Sequence, residues 1–171
     1  MPNTKTLHDA FLHELRDMYN AERQIVRALP KLIRAAESPA LCAAFEDHLV
    51  ETEGHIDRLE KAFGQLDVAP RGVRCEGMAG ILEEGQNVLA DGLDASARDA
   101  TLIAAAQRVE HYEIAVYGTL VEWAKAMGHR DVAELLRQNL EEEKAADQTL
   151  TRLAESGINA TAARQAHPAT A

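Results

Sequence analysis

Residues 101–120 read TLIAAAQRVEHYEIAVYGTL. Ala106, Val116 and Leu120 recur with the three- and four-residue spacing of an amphipathic helix, and Glu110 and Glu113 occupy the same stripe. A residue inside the stripe faces the neighbouring helices and cannot easily reach solvent. Two carboxylates therefore point into whatever core this helix helps to form.

The same period covers most of the chain. Thr6–Ala36 predicts a helix with apolar positions Phe11, Leu15, Met18, Ile25, Leu29 and Leu32, kinked at Pro30. Ser38-Pro39 supplies a cap and a first-turn proline for a second helix, which carries Leu41, Phe45, Leu49, Ile56, Leu59 and Phe63 and stops at Gly64. Glycines crowd the middle of the chain around a shorter helix, Met78–Leu89. Ser96 is the expected cap of the third long helix, which ends at Gly128. A fourth, with Val132, Leu136, Leu140, Leu150 and Leu153, closes at Gly157. No segment alternates as a strand does. Two helical hairpins joined by a long crossover describe an all-α, ferritin-like four-helix bundle with an extra short helix in the crossover. The bundle is expected over residues 1–157, and the Ala/Thr-rich residues 158–171 as a frayed or disordered tail.

Composition narrows the function. The chain has 171 residues, 46% hydrophobic but only 4% aromatic, and a net charge of −10. One domain of this length can bury a sizeable core. The acidic balance excludes nucleic acid and anionic membrane surfaces as natural partners. No apolar run approaches the ~20 residues of a membrane span, and no signal segment opens the chain, so a cytoplasmic protein is expected. Cys42 and Cys75 show no metal spacing and read as reduced thiols. Cations remain as the partners this composition favours.

An internal repeat brings the polar interruptions into register. An ungapped offset of 113 − 22 = 91 residues pairs Glu22 with Glu113, Leu29 with Leu120, Leu49 with Leu140 and Glu51 with Glu142. The first helix reads Leu15, Tyr19, Glu22, Ile25, Leu29, so Glu22 takes a core position. The second reads Phe45, His48, Thr52, His55, Leu59, and the fourth Leu136, Asn139, Glu143, Ala146, Leu150. With turns at residues 38 and 129, Glu22 and Glu113 each lie 16 residues before a turn. His55 lies 17 after the first turn, and Glu143 lies 14 after the second. At about 1.5 Å per residue, Glu22, His55, Glu110, Glu113 and Glu143 fall within roughly one helical turn of a common level.

Desolvating a carboxylate costs several kcal/mol, and four together rival the ~5–15 kcal/mol that stabilises a whole domain. Protonation, cationic partners or bound metal can offset that, and few basic residues share these stripes. Carboxylates with an imidazole suit iron or manganese. The candidate ligands are Glu22, Glu113 and Glu143, joined by His55, Glu110 and Glu51. Glu110 is alternatively a partner of His48 or Tyr19. Glu51, beside the stripe, fits a surface role equally well. His48 reads as a hydrogen-bonded core histidine, and His111 as pointing away. Tyr19 and Tyr117 lie near the layer.

The stretches LHELRDMYNAERQIVRALPKL, FEDHLVETEGHIDRLE, AAAQRVEHYEIAVYGTL and NLEEEKAADQTL, with CEGMAGILEEG between them, carry a likeness over roughly Thr4 to Glu155. The chain resembles the YciE/YciF family of ferritin-like bacterial stress-associated proteins. The resemblance implies a ferritin-like bundle with a short fifth helix, a homodimer, and a dinuclear iron or manganese centre in a stress-response or metal-homeostasis role. One departure stands out. Ferritin-like di-iron proteins use Glu on two helices and Glu-x-x-His on the other two, whereas this chain has Thr52-x-x-His55 and Glu143-x-x-Ala146. Glu51-x-x-x-His55 and Glu143-x-x-x-Asp147 are possible replacements at i, i+4. Three readings stay open: a metal-binding protein, a dimetal oxidase or peroxide-reacting enzyme, and a helical structural module whose site is degenerate.

Overall fold

Thr6 opens the first helix with a reciprocal cap. Its hydroxyl accepts from Asp9 N at 3.4 Å, and the Asp9 carboxylate accepts from Thr6 N at 2.8 Å. These bonds satisfy donors that a helix start leaves open. The computed structural model describes residues 5–166. It comprises α1 (Leu7–Ala35), α2 (Pro39–Gln65), α3 (Glu76–Ala90), α4 (Ala95–Ala126), α5 (Arg130–Leu153), a π-helical turn (Ala154–Ile158) and α6 (Asn159–Ala166). No strand occurs among the described residues. The fold is the expected all-α, ferritin-like bundle, with α3 as the short helix in the crossover.

Two local expectations change. Asp94, rather than Ser96, caps α4: its carboxylate accepts from Ser96 N and Ala97 N, each at 3.0 Å. A full negative charge at the cap interacts with the helix N-terminus better than a hydroxyl does, and Ser96 falls inside the first turn. Residues 158–166, expected to fray, are helical. Gly157 at φ 144 redirects the chain, and α6 then packs on α4. The last residues of the expected tail, 167–171, lie outside the described residues.

The bundle closes as a ring in which α1 packs on α2 and α4, and α5 packs on the same two helices. Its two hairpins run head to tail. Asp99, near the start of α4, accepts from Glu37 N at 2.9 Å and Ser38 N at 2.8 Å, so α4 begins at the α1–α2 turn. His129, in the α4–α5 turn, lies with its ring 6.1 Å from His8 and 6.4 Å from Phe11, at the start of α1. The crossover must therefore travel the length of the bundle. It is held on the way by Asn20 Oδ1, which accepts from Cys75 N at 2.9 Å, and by Gln24 Nε2, which donates to Cys75 O at 3.0 Å. Gly77 lets α3 approach α4 closely; a Cβ there would come within 2.9 Å of the Tyr112 ring.

Apolar layers fill both ends of the bundle. Phe11, Leu15, Phe63, Leu120 and Leu136 lie fully or almost fully buried, as do Ile25, Leu41, Phe45 and Leu102. Each such side chain contributes about 1.5–3 kcal/mol, and together they enclose the polar layer between them. Leu32, Leu49, Ile56 and Leu153, expected in the core, are half-buried at its margin, as is Trp123. Both cysteines are free. No helix among the described residues is long and apolar enough to cross a membrane.

Candidate metal centre

Six buried side chains from all four long helices meet between these apolar layers. They are Glu22 of α1, His48 and His55 of α2, Glu110 and Glu113 of α4, and Glu143 of α5. Helical spacing aims them together: His48, Thr52 and His55 share one stripe of α2, and Glu110 and Glu113 lie one turn apart on α4. They form two overlapping groups. Glu22, His55 and Glu143 offer ligand atoms all within 4.8 Å of one another, and so do His48, Glu110, Glu113 and Glu143. Glu143 belongs to both.

His55 is oriented from both sides. Its Nδ1 lies 2.8 Å from Glu143 Oε1 and 3.3 Å from Glu22 Oε1. Its Nε2 lies 2.9 Å from Glu142 Oε2, which also pairs with the Arg58 guanidinium. An Nε2–H donated to Glu142 turns Nδ1 toward the cluster, the carboxylate–imidazole arrangement that commonly orients metal-binding histidines. Tyr117 donates its hydroxyl to Glu22 Oε1 and accepts from Asn139 Nδ2 at 2.9 Å, while Asn139 Oδ1 accepts from Arg58 Nε. This ring of bonds fixes Glu22 and His55 relative to one another.

The inner atoms, by contrast, lack partners. Glu22 Oε2, Glu110 Oε2, both oxygens of Glu113 and both ring nitrogens of His48 are buried without a hydrogen bond, and Glu143 meets only the ion-pair contact of its Oε1 with His55. Leaving one buried polar group unsatisfied costs about 1–3 kcal/mol, and more for a charge. Proton affinities record the crowding. Burial, then the neighbouring carboxylates, holds Glu113 well above the usual carboxylate range, and burial does the same to Glu110. Burial also raises Glu143, with His55 opposing it. Burial would lower His55, but Glu143 and Glu22 outweigh it and the imidazole is pushed up to about 11. His48 is likewise raised, the pull of Glu110 and Glu51 outweighing its burial. Without a cation, protons hold the cluster together.

Five of the six residues predicted from the sequence meet here: Glu22, His55, Glu110, Glu113 and Glu143. Glu51 does not join either group. It sits next to the inward stripe, about 100° around the helix, with its side chain 42% exposed and 3.8 Å from His48 Nδ1. Asp147 also stays outside, facing His111 Nε2 at 3.3 Å and Gln107 Nε2 at 3.1 Å. Tyr19 turns away to donate to Glu60 at 2.7 Å. Sequence reasoning offered His48 as a partner of Glu110, and its Nε2 does lie 3.5 Å from Glu110 Oε1, but it did not count His48 among the candidate ligands. Because the hairpins run head to tail, counting from equivalent turns is accurate only at mid-bundle. Toward the α1–α2 turn, His48 and Glu110 move to the same level.

Fold and cluster together define a ferritin-like four-helix protein with carboxylates and imidazoles converging in its core. The chain belongs to the family described as a domain of unknown function, DUF892, which matches residues 6–163. It is 46% identical to protein YciF of Escherichia coli K12 over 165 residues, 96% of this chain and 99% of that protein. The crystal structure of that E. coli stress protein superposes with a TM-score of 0.88 over 91% of this chain and 99% of the other. YcfI of Rhodopseudomonas palustris is 43% identical, with a TM-score of 0.85 over 88% of this chain and 96% of its own. The kinship with YciF expected from the sequence is thereby established.

Proposed function

We propose that the cluster is a dinuclear metal centre, for iron or manganese, in a protein that serves stress response or metal homeostasis. The observation that carries this reading is the set of buried inner oxygens without a hydrogen-bond partner: both of Glu113, with Glu22 Oε2 and Glu110 Oε2. The donors are carboxylate oxygens and imidazole nitrogens, with no thiolate in either group, a set that suits iron or manganese. Glu22 and His55 would hold one ion, His48, Glu110 and Glu113 the other, and Glu143 would be shared. Two ions there would supply Lewis-acid or one-electron chemistry.

The chain's own residues prepare the site. Glu142 accepts the Nε2 proton of His55 and leaves Nδ1 free to bind once its proton departs. Glu110 and Glu113 surrender the protons that burial keeps on them, so cation binding and proton release are coupled. Tyr117 and Asn139 hold Glu22 in position. The stress role is supported by likeness to the E. coli stress protein, which covers nearly the whole chain.

Metal analysis tests the reading. Protein purified without chelator should carry iron or manganese, and the Glu22→Ala/Glu113→Ala variant should lose most of it. Equal, near-zero content in both would overturn the proposal.

A further inference from the structure

The cluster is sealed on most sides: Glu22, His55, Glu113 and Glu143 are fully buried. One cavity of about 130 Å³ nevertheless reaches it between α2 and α5. Its inner end is made by His48 and Glu110, which are 6% and 2% exposed and keep unpartnered His48 nitrogens and Glu110 Oε2. Its outer part carries the carboxylates of Asp47 and Glu51. The α5 wall is made by Ala145, Ala146 and Thr149, all short, together with Leu150.

The internal repeat explains the opening. The 91-residue offset sets Ala146 on α5 where α2 has His55 (55 + 91 = 146). An imidazole at this position of α5 would fill space that Ala146 leaves open. The departure from Glu-x-x-His on α5 thus removes a ligand and leaves a passage in its place.

We infer that this cavity is the entry portal for divalent cations, with Asp47 and Glu51 attracting the hydrated ion and His48 and Glu110 receiving it. The inference rests on the metal reading above and gives Glu51 a role other than that of a resident ligand. Carboxylates at the mouth of a low-dielectric passage concentrate cations and speed their capture, in a manner that salt screens. The pair His48–Glu110 lies inside the mouth and belongs to the second ligand group, so an ion handed inward meets Glu113 and Glu143 next.

The test is the rate at which chelator-stripped protein takes manganese(II) from a fluorescent indicator in stopped flow. Asp47→Asn/Glu51→Gln should slow uptake about tenfold at low ionic strength and abolish most of its salt dependence. Ala146→Leu should slow uptake at every salt concentration while the final stoichiometry stays at the wild-type value. Wild-type protein that takes up manganese, with both variants equally fast, overturns the portal alone. Wild-type protein that takes up none overturns the metal reading and the portal with it.

Discussion

Replacing Glu113 by Gln separates the cost of the empty cluster from its use. Glu113 is fully buried, neither carboxylate oxygen has a hydrogen-bond partner, and burial with its neighbours Glu143, Glu22 and Glu110 keeps the proton on. Holding a carboxyl protonated at pH 7 works against its ordinary value of 4.5. That gap of about two and a half pH units, at about 1.4 kcal/mol each, costs roughly 3.5 kcal/mol. Glutamine has the same shape and carries no such cost, but it buries an amide whose unsatisfied donors lose about 1–3 kcal/mol. The metal-free variant should therefore be about 0.5–2.5 kcal/mol more stable than wild type, about 1–10 °C in melting temperature for a chain of this size. Manganese should reverse the order. A ligand at a hundred times its Kd adds about 2.7 kcal/mol to the native state, and the variant, lacking one anionic ligand, gains far less. Thermal melts at pH 7, with chelator and with manganese, read both halves. A variant clearly less stable than wild type in chelator, or one stabilised by manganese as much as wild type, would refute the reasoning.

Metal-free protein should lose stability as pH rises. The His55 imidazole is raised from 6.5 to about 11, so its contribution is complete below pH 6.5 and disappears as pH passes through about 11; Glu110 and Glu113, also raised, act in the same direction. Melts in chelator should therefore fall from pH 6 to pH 9, and a flat or rising profile would contradict the proton-held cluster. Glu142→Gln weakens the acceptor of the His55 Nε2 proton and should lower metal affinity about 10–100-fold by competition titration, with the fold retained in circular dichroism. Asp99→Ala removes two charge-assisted bonds to the α1–α2 turn and should cost roughly 2–4 kcal/mol in urea unfolding without changing metal stoichiometry.

The architecture was legible because helices declare themselves by period, and because Ser38-Pro39 and Gly128 mark the two hairpin turns. Glu22, Glu110, Glu113 and Glu143 were legible for a related reason: each interrupts an apolar stripe, and misplacing it would require the whole stripe to be misphased. The direction in which each hairpin lies was not visible in the period. It depends on contacts such as Asp99 with the Glu37 and Ser38 amides, 62 and 61 residues apart in the chain. Without it, His48 reads as a hydrogen-bonded core histidine two turns from His55, at most a partner of Glu110. Its membership in the stripe Phe45, His48, Thr52, His55, Leu59 was the signal that could have found it. Glu51 was legible only as a choice between two roles: an i, i+4 carboxylate near an imidazole resembles a ligand pair, yet a single position around a helix turns a side chain toward the surface, where Glu51 lies 42% exposed. The tail was misread because Ala- and Thr-rich residues without an apolar period gave no sign of α6, which forms against α4 after the turn at Gly157.

The central claim is that two cations bind among these six side chains with Glu143 between them. Anomalous scattering from crystals soaked in manganese(II) tests it most directly. The account predicts two peaks inside the bundle, one beside Glu22 and His55 and one beside His48, Glu110 and Glu113, flanking Glu143. Peaks confined to surface carboxylates, with none in the core, would contradict it.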